Sequence, residues 1–133
     1  MAKVKLLLLI SFMSIYLVGC ASLFLMGTGA GFGVATHKYL KGSLTVIYEA
    51  PYMKTWDATL KAMDNMNFKI RTQKHNLTAG KIEAKRSDDE WVGIIIEYKS
   101  SQETEVVIRV GLFGDEKASM VIKEEIRKVL IEG

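Results

Sequence analysis

Few side chains in this sequence have the types and spacings that catalysis or metal binding requires. The chain of 133 residues has one cysteine, Cys20, and two histidines, His37 and His75. A lone cysteine can form neither an internal disulfide nor a thiolate cluster, and the two histidines lack the spacing of metal ligands. The sequence also lacks a Gly-x-Ser-x-Gly motif and a recognisable Ser–His–Asp set. It therefore predicts a protein that is not an enzyme, needs no cofactor and binds no metal.

A short loop in the C-terminal part of the chain is the best candidate for a binding element. Gly111 and Gly114 precede Asp115, which begins a predicted helix that contains Ser119. Backbone N–H groups at the start of a helix can bind an anion. Two glycines and an aspartate also make an ordinary turn with a helix N-cap. We therefore predict a candidate ligand or partner loop at Gly111, Gly114, Asp115 and Ser119, with the ordinary turn as the alternative.

Two other features are weaker candidates. The acidic run from Asp88 to Glu90 lacks the alternating ligands of a calcium loop, so a solvated hairpin turn explains it better. Trp91 opens a predicted strand beside Gly93, and it could lie on an exposed face in a binding role. A position in the core is the simpler interpretation for both Trp91 and Trp56.

The N-terminal segment gives the clearest prediction of where the protein is located. Lys3 and Lys5 precede an uncharged apolar run over residues 6–18, which is too short to span a bilayer comfortably and suits a signal peptide. The run ends in Leu17-Val18-Gly19-Cys20, which resembles the lipobox of bacterial lipoproteins. This resemblance implies a diacylglycerol on the Cys20 sulfur, cleavage before Cys20 and acylation of the new amine by a fatty acid such as palmitate. An ordinary signal peptide or membrane anchor with a chance cysteine is the alternative.

The residue after the lipobox and the net charge refine the expected location. In lipoproteins of this kind an aspartate after the cysteine favours retention in the inner membrane, and here the residue is Ala21. The resemblance therefore implies the outer membrane, with the domain facing the periplasm. The inner membrane is the alternative location. Cleavage before Cys20 would remove Lys3 and Lys5, which lowers the number of basic residues from 18 to 16. With 15 acidic residues, the mature chain would have a net charge of +1. This balance gives no argument for nucleic acid. The expected partners are the lipid bilayer and an envelope protein, whereas the oligomeric state is not predicted.

Glycines dominate the segment that follows. Gly27, Gly29, Gly31 and Gly33 alternate, but the third glycine of a dinucleotide-binding motif is missing because Phe32 stands in its place. We expect a membrane-proximal segment, which is either a flexible tether or a helix with small-residue faces. The sequence thus predicts a signal peptide over 1–19, a lipidated Cys20 and Gly-rich segment over 20–40, and a domain over 41–133.

Hydrophobic periodicity predicts the elements of that domain. The predicted strands are 42–49, 68–74, 81–86, 91–99 and 104–111, and the predicted helices are 52–66 and 116–131. The apolar stripe of the first helix is Met53, Trp56, Leu60 and Met63, and that of the second includes Val121 and Ile126. The order β-α-β-β-β-β-α predicts an α+β, two-layer sandwich, in which a four- to five-stranded antiparallel sheet carries two helices on one face.

Two families resemble the folded part. The pattern Val110-Gly111-Leu112-Phe113-Gly114-Asp115, together with the lipobox and the Gly-rich segment, is similar to an uncharacterised family of small bacterial lipoproteins. The apolar spacing of Trp56, Leu60 and Met63 more distantly resembles the helix-grip domains of the BamC lipoprotein. These resemblances imply a membrane-anchored lipoprotein of the bacterial cell envelope, and the closer family supplies no activity. Because the sequence lacks a recognisable catalytic set, we expect a non-enzymatic protein-interaction module. A small periplasmic ligand-binding domain is the alternative.

Overall fold

The computed structural model describes residues 3–8 and 33–132, without the side chain of Ala35. The chain divides into two compact units, Met1–Gly31 and Phe32–Gly133. In the first unit, residues 3–8 are helical and exposed. Within the two described ranges, no helix has the length and apolar character needed to cross a membrane. Cys20, the lipobox and the glycines at 27, 29 and 31 lie outside the described residues.

The second unit is an α+β domain built on one antiparallel sheet. Its elements, in chain order, are β1 (Val34–Leu40), β2 (Ser43–Tyr48), α1 (Tyr52–Asn65), β3 (Lys69–His75), β4 (Ala79–Lys85), β5 (Trp91–Ser100), β6 (Glu103–Val110) and α2 (Glu116–Glu132). The strand order across the sheet is β1-β2-β6-β5-β4-β3. The meander from β3 to β6 returns beside β2, because α1 carries the chain across the sheet between β2 and β3.

Strand alternation places the core on one face of the sheet. In β2, β4 and β6 every second residue is buried, as expected when one face is covered and the other is not. Both helices pack against this sheet and against each other, α2 mainly over β2 and β6 and α1 mainly over β5. The opposite side, which we call the open face, has no helix of residues 33–132 packed on it. The core is thus a single layer between sheet and helices.

The predicted α+β fold class is right, but the predicted numbers of strands and helices are too low. The sheet has six strands rather than four or five, and the helical residues 3–8 add a third helix to the two that were predicted. The additional strand is β1, which pairs with β2 through the two-residue turn Lys41-Gly42 and so begins the sheet before residue 41. As an edge strand, β1 leaves most of its side chains exposed and carries no alternating apolar pattern.

Both predicted helical stripes contain one error. Met53 and Val121 are exposed, whereas Thr55, Thr59 and Ser119 are buried. The three hydroxyl groups can be buried because each donates to the backbone carbonyl four residues earlier, with oxygen–oxygen distances of 2.7–3.0 Å. A hydroxyl satisfied within its own helix can be buried without a lost hydrogen bond.

A tryptophan fixes α1 to the sheet. The indole of Trp56 is buried, and it lies against Gly80 of β4. A Cβ at Gly80 would lie only 2.9 Å from Trp56 Cε3 and 2.9 Å from His75 Cβ. The rings of Trp56 and His75 have centroids 4.6 Å apart. Gly80 is therefore required by packing rather than by backbone conformation, since it leaves room for the ring.

Tyr48 connects the sheet to α2. Its hydroxyl group donates to the backbone carbonyl of Lys123 at 2.8 Å, and the side chain is fully buried. Burial raises the pKa of Tyr48 far above its usual value, and the nearby carboxylate of Glu124 raises it further. The tyrosine therefore remains protonated, and its buried hydroxyl group is satisfied by a carbonyl group of α2.

Candidate functional site: a braced loop with two exposed apolar side chains

The predicted candidate loop connects β6 to α2 and spans residues 111–115. Gly111 and Gly114 both have positive φ angles, +73° and +85°, which residues with a side chain rarely adopt. The N–H of Gly111 donates to the carbonyl of Trp91 at 2.7 Å, so the start of the loop is fixed to β5. The glycines thus set the path of the backbone.

The middle of the loop rests on the turn between β1 and β2. Gly114 lies directly against Gly42, and a Cβ at Gly114 would meet the Gly42 carbonyl carbon at 2.8 Å. Arg109 connects the two segments, because its guanidinium donates to the carbonyl of Lys41 at 3.1 Å and to that of Leu112 at 2.5 Å. The close backbone contact and the guanidinium brace hold the loop in one conformation.

The end of the loop is fixed to α2. A side-chain oxygen of Asp115 accepts from the N–H of Ala118 at 3.0 Å, which confirms the predicted N-cap. Ser119 donates through its hydroxyl group to the Asp115 carbonyl and is completely buried. The polar groups of Asp115 and Ser119 are therefore used within the helix start. The structure brings all four predicted residues together, and each has a structural contact of its own.

The loop presents two side chains that sequence analysis did not select. Leu112 is 77% exposed and Phe113 is 89% exposed, and we call this pair the apolar tip. Leu40, also exposed, leads into the neighbouring turn. The signal was present in the sequence, because Leu-Phe between two glycines belongs to no periodic apolar pattern. The pattern of glycines and an aspartate before a helix points to ligand groups and gives no weight to the two apolar residues between the glycines.

The described residues offer little else that resembles a reactive site. They contain no group of three or more histidine, cysteine, aspartate or glutamate side chains placed to hold a metal ion. The pKa of Glu124 is lowered chiefly by its hydrogen bond with Arg127, at 2.8 Å, and that of Glu83 chiefly by its hydrogen bond with Lys81. The pKa of Lys99 is raised by its ion pair with Glu105. These pairs lie apart on the domain and behave as ordinary surface ion pairs.

The apolar tip differs from the other exposed apolar side chains of the domain. A single exposed leucine such as Leu77 is ordinary on a protein surface, whereas the tip presents two large apolar residues in succession on one braced loop. A flexible loop could fold its apolar groups back onto the domain, whereas this loop is held outward by Arg109 and by the contact of Gly42 with Gly114. The arrangement can bind an apolar cleft on another molecule with little loss of conformational entropy.

Comparison with known proteins yields a family and no activity. A search among curated proteins finds no match to the chain. A family model described as "Protein of unknown function (DUF3568)" matches residues 3–129, which include the sheet, α1, the braced loop and most of α2. The match covers nearly the whole sequence, and the chain therefore belongs to the DUF3568 family of proteins of unknown function.

Proposed function

We propose that this protein is a lipid-anchored lipoprotein of the bacterial cell envelope that acts as a non-enzymatic protein-interaction module. The apolar tip, Leu112 and Phe113, is the element that binds the partner protein. The observation that carries the proposal is the exposure of both side chains on a loop braced by Arg109. An exposed apolar group held in place by its own domain is a typical feature of an interaction site.

The tip is large enough to anchor a specific contact. Complete burial of one leucine or phenylalanine side chain contributes about 1.5–3 kcal/mol, so the pair contributes roughly twice that amount. A few buried apolar anchors commonly supply most of the energy of a protein interface. The brace adds to this, because a loop that is already ordered loses little freedom on binding.

The proposed test removes the tip and retains the loop. We expect Leu112→Ser with Phe113→Ser to abolish capture of the partner when the tagged protein is cross-linked in intact cells and purified. Both side chains are exposed, so the double variant should fold as well as the parent. Leu77→Ser is the matched control, because Leu77 is 91% exposed in the turn between β3 and β4. Equal capture by the parent and the tip variant would reject the tip as the binding element.

The proposed location depends on Cys20, on the lipobox Leu17-Val18-Gly19-Cys20 and on Ala21 after it. The thioether-linked diacylglycerol and the amide-linked chain would hold the mature protein in the outer membrane, with the domain in the periplasm. The inner membrane is the alternative. The segment between Cys20 and β1, whether a flexible tether or a helix with small-residue faces, would keep the domain near the bilayer.

Cys20→Ala tests the anchor separately. We expect this change to abolish labelling by a palmitate analogue and to leave an unprocessed precursor, because the thiol is the acceptor for the diacylglycerol. In-gel detection of the label and the apparent mass of the product give the result, and Ser22→Ala is the control. Labelling that persists in the Cys20→Ala variant would end the lipoprotein proposal and leave the interaction proposal to be judged by the tip variants.

A further inference from the structure

The outer half of the open face, over β3, β4 and β5, has an unusual arrangement of charge. Lys69 of β3 lies directly opposite Lys85 of β4, and Lys74 lies directly opposite Lys81. Side chains opposite one another on antiparallel strands lie on the same face, and opposed like charges destabilise the pair. One hairpin thus carries two such lysine pairs on one surface.

Little on that surface neutralises the lysines. Lys81 forms an ion pair with Glu83 at 3.0 Å, and Lys85 donates to the carbonyl of Asp89 at 3.3 Å. Among the described residues, neither Lys69 nor Lys74 forms an ion pair. Glu83 lies between the two lysine pairs and accepts a hydrogen bond from Thr72, so the open face of the β3–β4 hairpin holds four lysines around one glutamate. The nearest acidic residue on the same face of β5 is Glu97, which pairs with Ala79 at the end of β4. The repulsion that remains would be relieved by an anionic partner.

Each lysine pair continues into an exposed apolar side chain on the next strand. Lys85 pairs with Trp91, which is 36% exposed, and Lys81 pairs with Ile95, which is 41% exposed. The indole of Trp91 lies over Gly93, where a Cβ would meet Trp91 Cζ2 at 2.7 Å, so the ring covers Gly93 on the open face. The row lysine–lysine–apolar side chain therefore occurs twice. We call these six residues the basic face: Lys69, Lys74, Lys81, Lys85, Trp91 and Ile95.

We propose that the basic face binds a bilayer surface rich in anionic phospholipid headgroups. Lysines near such a surface are attracted by its negative potential, each by roughly 1 kcal/mol. Tryptophan prefers the boundary between headgroups and acyl chains, where its apolar body and its N–H both find suitable surroundings. The alternation of cationic and apolar groups on one sheet face suits that boundary.

An acidic protein is the competing partner, and the side-chain types favour the lipid. The four cations are all lysines, which act as hydrated point charges, whereas recognition of defined carboxylates in proteins typically uses the planar fork of arginine. Lys81 and Lys85 are four residues apart on one strand, which is about 13 Å. A laterally mobile headgroup layer can adapt to four charges spread over such a distance. The inference does not depend on the apolar tip. The loop that carries the tip begins at Gly111, whose N–H donates to the carbonyl of Trp91, but Leu112 and Phe113 are not part of the basic face.

The test uses the fluorescence of Trp91 in the complete chain. We would add the complete protein, as purified from cells, to phosphatidylcholine vesicles with brominated acyl chains, with or without phosphatidylglycerol. Trp56 is 3% exposed, so contact with brominated lipid quenches Trp91 selectively. We expect quenching in the anionic vesicles at low salt. It should be lost near 1 M salt, where the Debye length falls to about 3 Å.

Lysine variants assign the effect to the basic face. Lys74→Gln with Lys81→Gln should weaken partition onto the anionic surface about 25-fold, at about fivefold for each lysine. The matched control is Lys117→Gln with Lys128→Gln, which removes two exposed charges from α2 in the other layer and should leave quenching unchanged. The Lys74→Gln change should also leave the domain at least as stable, because it relieves a repulsion.

Three outcomes would overturn the proposal. The first is equal quenching in neutral and anionic vesicles, and the second is an equal loss in the control pair. The third is unchanged quenching in the Lys74 and Lys81 variants together with loss of a cross-link to an acidic protein, which would assign the face to a protein. None of these outcomes bears on capture through the apolar tip, so the two proposals fail separately.

Discussion

Gly80→Ala is expected to destabilise the domain by about 2–3 kcal/mol, measured by urea or thermal unfolding. A methyl group at this position enters the space of the Trp56 indole and the His75 side chain. Trp56 is buried between α1 and the sheet, so it cannot move away without disturbing the contact that fixes the helix. Overpacking of a core typically costs this much.

Gly93→Ala is the matched control for that prediction. Gly93 also lies in a strand beneath a tryptophan ring, but the ring belongs to Trp91, which is partly exposed on the open face. Trp91 can rotate into solvent, so the alanine should cost less than about 1 kcal/mol. A further check combines Gly80→Ala with Trp56→Leu, whose costs should be less than additive because they share one contact. Equal costs at Gly80 and Gly93 would contradict the proposed role of the Trp56 contact.

Gly114→Ala is expected to destabilise the domain by about 3–4 kcal/mol and to abolish capture of the partner by the apolar tip. The φ angle of +85° costs an alanine about 1–2 kcal/mol. The Cβ also meets the backbone of Gly42, which is fixed in its turn and cannot yield as a side chain would. The loop must therefore move away from Gly42, and it takes Leu112 and Phe113 with it.

Gly111→Ala separates the two causes. Gly111 has a similar positive φ, but its Cβ would meet the carboxylate end of Glu90, a flexible side chain that can swing aside. We therefore expect only the conformational cost, about 1–2 kcal/mol. The difference between the two variants measures the close approach of the loop to the β1–β2 turn. If Gly114→Ala lowers the free energy of unfolding no more than Gly111→Ala does, the contact of Gly114 with Gly42 does not brace the loop.

Much of the fold could be predicted from sequence because a helix or strand that is buried on one face has apolar residues at regular intervals. The helix predicted over 52–66 is α1 at Tyr52–Asn65, and the predicted meander corresponds to β3 through β6. Asp115 was predicted as an N-cap because a short polar side chain before an apolar helical stripe has few other roles. Edge strand β1 has no such apolar pattern, since its side chains are mostly exposed.

The sequence indicated the loop that holds the candidate residues, and whether that loop binds a ligand or a partner stays a prediction. Gly111, Gly114, Asp115 and Ser119 do converge, yet their contacts are within the domain, and the side chains offered to solvent are Leu112 and Phe113. The brace depends on Arg109 and on the turn at Lys41, far away in sequence, so no local pattern could reveal it. The lipobox and the BamC resemblance concern location and ancestry, and both stay predictions.

Site-specific photocross-linking in living cells can show whether the braced loop contacts a partner protein. A photoreactive amino acid at Phe113 should give a discrete protein adduct in the envelope fraction, because this side chain is proposed to lie in a cleft of the partner. The same amino acid at Leu77, which is equally exposed on a different turn, should give none. A strong adduct at 113 and none at 77 is the predicted result. No adduct at 113, or equal adducts at both positions, would contradict the claim that the braced loop is a protein-binding element.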